Sequence, residues 1–388
     1  MFRLSRFIAE IDNPTPVDPH RDPPAPVVIW NLTRRCNLTC KHCYAVSTDT
    51  RFPGELDTAT ALRVLEDLWA SRVRVLILSG GEPLLRPDFF EIAQSARAMG
   101  FFVALSTNGT LIDERNIVEI AASDFDYVGI SLDGMETTHD HFRQCVGAFA
   151  ASLAGLRLCR RHGLKTGVRF TLTRQNAADL PALLDLVERE GVDRFYLSHL
   201  NYAGRGGKNR HEDAHFTMTR WTLKLLFERA LHANWHGQKI DFTTGNNDAD
   251  AIYFLHWATR RFPAVAEHLA DKLLQWGGNA SGINVANIDN LGNVHPDTMW
   301  WSHTLGNVRE RSFDAIWHDE SDPLLAGLKR RPRPVGGRCA ACQYLPVCNG
   351  NTRIRALAAD GDPWSEDPGC YLSDAEIGLG EEAFAATT

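Results

Sequence analysis

From Val27 to His199, short β-branched or aliphatic runs alternate with helical patterns, and this alternation constrains the fold more than any other feature. The runs occupy 27–30, 73–78, 101–106, 127–132, 166–173 and 195–199. Between the first two, residues 58–71 set Leu62, Leu65, Leu68 and Trp69 on one helical face, with Asp57 or Thr58 as the cap. Pro87 stands where the first turn of the following helix should begin. Strands that alternate with helices pair in parallel through right-handed crossovers. Six such strands are fewer than the eight of a closed barrel. The expected fold is therefore α/β, a partial, laterally open (β/α)6 barrel over residues 27–212.

The flanks read differently. Residues 1–26 carry Pro14, Pro16, Pro19, Pro23, Pro24 and Pro26 without an apolar period, which predicts an extended lead-in. After 212 come helical segments at 217–236 and 248–276 and a hairpin, 283–289 with 293–297, turning at Asn290-Leu291-Gly292. A short helix near 312–318 precedes a Cys/Pro/Gly-rich stretch from Pro332 to Cys370. Residues 213–388 read as a smaller α+β unit with too little apolar periodicity for a large core of its own. A metal staple would hold its shape.

No stretch approaches the roughly 20 apolar residues of a membrane span, and the first residues lack a secretory apolar run. A net charge of −7 disfavours non-specific nucleic-acid binding. The expected setting is the cytoplasm, where clustered cysteines serve as metal ligands more often than as disulfides. Of nine cysteines, seven fall at 36–43 and 339–370. Cys145 and Cys159 read as buried small hydrophobes on a helix.

The first group, Cys36-Asn37-Leu38-Thr39-Cys40-Lys41-His42-Cys43-Tyr44, directly follows the first predicted strand. Three thiolates within eight residues wrap one face of an iron–sulfur cluster, and the missing fourth ligand leaves one iron open. The alternative is a zinc knot completed by His42, although zinc ligands usually come as two separated pairs. Arg34, Arg35 and Lys41 flank the loop, either holding negative charge nearby or simply solvated.

The Cys-x3-Cys-x2-Cys-aromatic pattern resembles the radical S-adenosylmethionine (radical SAM) superfamily, and further motifs follow in order at strand ends. Gly80-Gly81-Glu82-Pro83 follows the second strand, where the resemblance implies a loop for the methionine amino group. The glycines would let backbone approach ligand, and Glu82 would accept from an ammonium. Ser106-Thr107-Asn108-Gly109 follows the third strand. Ser131-Leu132-Asp133-Gly134 follows the fourth, with Arg143 soon after, as in members whose serine and arginine contact the ligand's ribose or carboxylate. Tyr44, Gly80, Gly81, Glu82, Pro83, Ser106, Asn108, Ser131, Asp133 and Arg143 are thus the implied cofactor-binding residues, and Cys36, Cys40 and Cys43 the implied ligands of a 4Fe-4S cluster. The implied chemistry is reductive cleavage of S-adenosylmethionine to a 5′-deoxyadenosyl radical, with no general base for that step.

Cys339, Cys342, Cys348 and Cys370 supply four thiolates, a set that zinc and 4Fe-4S centres both accept. The company of an iron–sulfur barrel favours the cluster. The region resembles the SPASM/Twitch extensions of radical SAM enzymes, including Leu305-Gly306-Asn307-Val308 and Ile316-Trp317. Full SPASM domains hold two auxiliary clusters. This chain has Asp297 and Thr352 where further cysteines would stand, so one auxiliary cluster is expected, making two 4Fe-4S clusters in all. A closed cluster suits electron transfer, and the SAM cluster needs a reductase or a ferredoxin- or flavodoxin-type donor.

Two substrates compete. Peptide maturases are the commonest SPASM enzymes, but only 26 residues precede the barrel here, fewer than a peptide-recognition module needs. The whole chain resembles the radical enzymes of heme d1 synthesis (the NirJ family), which implies a tetrapyrrole substrate that loses two propionate side chains. Arg205, Lys208 and Arg210, in a glycine-rich loop after the sixth strand, are candidates for its carboxylates. Trp300, Trp301, His295 and His303 are candidates to pack on or ligate the ring. An iron–sulfur carrier without catalysis would explain the cysteines but not the strand-end loops.

Overall fold

The computed structural model describes residues 1–17 and 25–380. Within them one sheet contains β1 (Val27–Asn31), β2 (Val75–Ser79), β3 (Phe102–Thr107), β4 (Tyr127–Ser131), β5 (Thr166–Leu172), β6 (Arg194–His199), β7 (Asp241–Gly245), β8 (Val285–Ile288), β9 (Asn293–His295) and β10 (Gly306–Asn307). Their order is β10-β9-β8-β1-β2-β3-β4-β5-β6-β7. All pairings from β8 through β1 to β7 are parallel; β9 and β10 add antiparallel.

The helices are α1 (Leu4–Asp12), α2 (Thr58–Ala70), α3 (Phe89–Ala98), α4 (Ile117–Ala122), α5 (Glu136–Arg143), α6 (Ala148–Arg161), α7 (Leu180–Arg189), α8 (Gly204–Lys208), α9 (Phe216–Trp235), α10 (Ala249–Arg261), α11 (Ala266–Trp276), α12 (Phe313–Trp317), α13 (Pro323–Lys329), α14 (Gly337–Ala341), α15 (Leu345–Cys348) and α16 (Arg353–Asp360). The strand alternation decides which face they cover. Val28, Trp30, Leu76, Leu78, Leu105, Ile130, Val168 and Leu197 are buried under the helices. Ile29, Ile77, Ser106, Ser131, Arg169 and Tyr196, one residue out of phase, are only part-buried and line the concave face. One face is covered and the other opens on a lumen, as a partial barrel requires.

Several expectations are corrected. The lead-in is not extended throughout: Leu4, Ile8 and Ile11 are buried on one side of α1, and Phe2 pairs its backbone with Thr244. The prolines that masked this period begin only at residue 14, and Pro19, Pro23 and Pro24 lie outside the described residues. The sheet also exceeds six strands. β7, unassigned between the helical segments at 217–236 and 248–276 because Asp241, Thr243 and Thr244 dilute its apolar pattern, adds beside β6, and the hairpin expected in the second unit joins β1 through β8. Third, the helix expected at 248–276 breaks at Phe262–Pro263 into α10 and α11, and Pro87 precedes the Asp88 cap of α3 instead of opening its first turn. Finally, Cys145 is exposed between α5 and α6, whereas Cys159 is buried in α6 as expected.

The main core runs from Phe2 through the barrel to Phe313, Trp317, Val347, Tyr371 and Ile377. Trp300, Leu324, Leu328 and Ile354 form one separate small cluster, and Cys36, Leu38 and Cys40 another. The cysteine-rich segment thus leans on the barrel's core, consistent with its sparse apolar pattern.

Candidate functional site

The loop leaving β1 carries the first three cysteines, and every sulfur faces a donor. Leu38 N–H lies 3.4 Å from Cys36 Sγ, Arg143 Nη1 3.4 Å from Cys40 Sγ, and Ser47 N–H 3.5 Å from Cys43 Sγ. Cys36 and Cys40 are each 6% exposed. Burial pushes the Cys36 thiol up to about 12 and raises Cys40 as well, so metal binding would have to displace their protons. His42 stacks on Phe142 at 4.5 Å, and burial holds its pKa well below the usual imidazole range. Among the described residues no three His, Cys, Asp or Glu side chains converge where one metal ion would sit. A cubane takes each thiolate on a different iron, so soft sulfurs with sulfur-directed donors fit it better than a single zinc.

The strand-end motifs support this loop before they touch any ligand. A Cβ on Gly80 would lie 2.5 Å from Thr33 O, and one on Gly81 would collide with the Arg34 and Arg35 carbonyls. The N–H groups of Gly81 and Glu82 donate to Thr33 O (2.7 Å) and Arg35 O (2.8 Å). The glycines thus admit the cluster loop's own backbone. Glu82, fully buried, accepts from Thr107 Oγ1 (2.8 Å), Asn108 N–H (2.8 Å) and Leu84 N–H (3.2 Å). Burial lifts its pKa to about 7. Within the chain, the carboxylate expected to meet an ammonium ties β2 to β3, and Pro83 opens the one-turn helix that follows.

Asn108 Nδ2 donates to Asn37 Oδ1 (2.9 Å) and lies 3.9 Å from Cys36 Sγ. Tyr44 Oη accepts from Asn31 Nδ2 (2.9 Å), and the Tyr44 ring meets Trp301 edge-on at 6.0 Å. Asp133 and Arg143 form a buried ion pair; Asp133 also accepts from Thr171 N–H (2.6 Å). Arg143, expected at the ligand's ribose or carboxylate, spends Nη1 on Cys40 Sγ and Nη2 on Asp133. Ser131 sits at the end of β4, in register with Arg169 of β5.

Arg169 is the residue that sequence reasoning missed. It bonds Ser106 Oγ and lies 5.7 Å from the Tyr196 ring centre. Among the described residues no carboxylate pairs with it. The signal was available: Val168, Phe170 and Leu172 face the core, which sends Gly167, Arg169 and Thr171 to the lumen.

The glycine-rich segment does not present three free cations. Arg205 donates to Cys40 O and Ser47 O, Arg210 to Ala358 O (3.3 Å), and Lys208 is exposed. Trp300 is core, and Trp301 Nε1 bonds Asn287 Oδ1 (3.1 Å). His295 contacts His303 O (2.7 Å), while His303 pairs with Asp322 (2.8 Å).

Cys339, Cys342, Cys348 and Cys370 are all part-exposed. Asp367 N–H lies 3.5 Å from Cys339 Sγ, Tyr344 N–H 3.3 Å from Cys342 Sγ, and Arg338 Nη1 3.4 Å from Cys370 Sγ. Cys339 and Cys370 border an open cavity of about 790 Å³. Asp297 accepts from Ser281 Oγ and from Met299 N–H (2.7 Å), and Thr352 precedes α16, so both have roles within the chain.

The profile of the radical SAM superfamily matches residues 30–187. Pre-heme d1 synthase of Dinoroseobacter shibae is 56% identical over 97% of this chain and 94% of that protein. Fe-coproporphyrin III synthase of Methanosarcina barkeri is 43% identical over 92% of this chain and 90% of that protein. A crystal structure of Streptococcus suis SuiB bound to S-adenosylmethionine superposes with TM-score 0.69 at 17% identity, covering 90% of this chain and 78% of SuiB.

Proposed function

As the chain belongs to the radical SAM superfamily, an enzyme of 4Fe-4S and S-adenosylmethionine chemistry, we propose that it removes propionate side chains from a didecarboxysiroheme-type tetrapyrrole during heme d1 formation. The observation that carries this reading is the three-sulfur loop, with a donor on each sulfur, set at the C-terminal ends of strands that enclose a lumen. The tetrapyrrole comes from the likeness to pre-heme d1 synthase and Fe-coproporphyrin III synthase.

Cys36, Cys40 and Cys43 would hold the cluster. Bound there, it supplies the electron that cleaves S-adenosylmethionine and so generates the radical that attacks the substrate. Arg143 places positive charge beside Cys40, offsetting the thiolates. Asn108 holds Asn37 and the β3 loop beside Cys36. Arg169, with no carboxylate partner among the described residues, offers its guanidinium to a carboxylate entering the lumen, and Ser106 orients it. Tyr44 and Ser131 lie on the same side. In residues 213–388, Cys339, Cys342, Cys348 and Cys370 would hold one auxiliary 4Fe-4S cluster, which would supply an acceptor for the electron left after C–C cleavage. A reductase or a ferredoxin- or flavodoxin-type protein supplies the first electron.

Titration of the anaerobic protein with iron siroheme derivatives, set against short peptides, tests the substrate. Tetrapyrrole binding without peptide binding is expected. Tight peptide binding without tetrapyrrole binding would reject it in favour of a peptide maturase.

A further inference from the structure

The segment after β6 touches the cluster loop at almost every turn. Arg205 N–H donates to Cys43 O (2.9 Å), Arg205 Nε to Cys40 O (2.7 Å), Arg205 Nη1 to Ser47 O (3.0 Å), and Asn209 Nδ2 to Lys41 O (2.7 Å). Four carbonyls of the loop are thereby fixed by two residues. Gly204 adopts φ +56°, and a Cβ there would collide with the Cys43 and Tyr44 carbonyls. Only glycine allows this approach.

We propose that residues 204–209 brace the N-terminal cluster loop and that Arg205 is a positioning residue that sets both the loop's geometry and the charge beside the cluster. A planar guanidinium spans two carbonyls seven residues apart in sequence, where a lysine ammonium offers one point of attachment. Among the described residues no carboxylate lies within ion-pair distance of Arg205, so its charge is balanced only by carbonyl dipoles. Nη2 is buried without an acceptor. A cubane on three thiolates is anionic, and more so when reduced. An uncompensated cation against its loop favours the reduced state and raises the potential. This assigns Arg205 away from substrate carboxylates. The inference rests on the cluster reading and not on the tetrapyrrole.

The test uses the full chain, reconstituted anaerobically, with Arg205→Gln and Arg205→Lys. The readouts are iron content, the midpoint potential of the N-terminal cluster by EPR-monitored titration, and tetrapyrrole affinity. Arg205→Gln is expected to lower the potential and weaken cluster retention about tenfold, with tetrapyrrole affinity unchanged. Arg205→Lys keeps the charge but loses the fork, so the potential stays near that of the parent protein while retention still drops. Lys also serves if Gln does not fold. Unchanged potential and iron in both variants, or a loss confined to tetrapyrrole binding, would overturn the brace. Absence of an N-terminal cluster from the unmutated protein would instead overturn the reading beneath it.

Discussion

The two cysteine sets are held by opposite means. Around Cys36, Cys40 and Cys43 the loop is gripped from the sheet: β2 and β3 through Gly81, Glu82 and Asn108, α5 through Arg143, and α8 through Arg205. Cys339, Cys342 and Cys348 lie on or beside α14 and α15, helices of five and four residues that are too short to be stable alone and lean on the main core through Tyr344, Val347 and Cys348. Both sets share one device, a buried Arg–Asp pair: Arg143 with Asp133, and Arg355 with Asp367 in a two-pronged contact of 2.9 and 2.8 Å. The lesson is a division of labour. The first set is held at each sulfur by a donor of its own chain, and on our proposal leaves one iron to a cofactor. The second set is proposed to supply all four ligands of an auxiliary cluster and to gain order from binding it.

The sharpest way to break this contrast is to delete each set. Replacing Cys36, Cys40 and Cys43 by alanine should lower iron from about eight to about four per chain and abolish 5′-deoxyadenosine formation, with thermal stability little changed. Replacing Cys339, Cys342, Cys348 and Cys370 should also leave about four irons but preserve S-adenosylmethionine cleavage. Tetrapyrrole conversion should stop, and limited proteolysis should now cut within 337–348. If both deletions soften the structure equally, the contrast fails.

The ion pairs come next. Asp133→Asn or Asp367→Asn strands a buried arginine, and each should cost about 3–5 kcal/mol in denaturant unfolding. Only Asp133→Asn should perturb the EPR signal of the N-terminal cluster, because only Arg143 touches Cys40 Sγ. A smaller effect falls on Glu376, whose pKa is lowered to about 2, chiefly by its bond to Arg220. A depressed carboxylate stabilises fully above its unfolded value of 4.5, and that contribution fades as pH falls toward about 2. Glu376→Gln should therefore cost about 1–2 kcal/mol at neutral pH, and the difference from the parent protein should vanish in acid.

Much of this was legible in the sequence. Strand alternation marked six of the barrel strands, because β-branched runs buried on one face announce themselves. Asp57 caps α2 by accepting from Thr60 N–H (2.8 Å), as its position ahead of the apolar period implied. The illegible parts depend on partners distant in sequence. β7 pairs with β6 and Phe2, and its Thr243 and Thr244 are buried although polar. For Arg205, Glu82 and Arg143 the sequence records a charge but not the carbonyls, backbone N–H groups or sulfur that each meets within the chain. Arg169 was readable from phase alone once the buried face of β5 was known.

The central claim is that the three-cysteine loop holds a cubane with one iron left to a small-molecule ligand. Mössbauer spectra of protein reconstituted with isotopically enriched iron, recorded with and without S-adenosylmethionine, address it directly. One iron of a single cubane should change its isomer shift when S-adenosylmethionine is added, and the change should disappear in the Cys36, Cys40, Cys43 variant. Identical spectra in both conditions, or zinc in place of iron at those cysteines, would contradict the account.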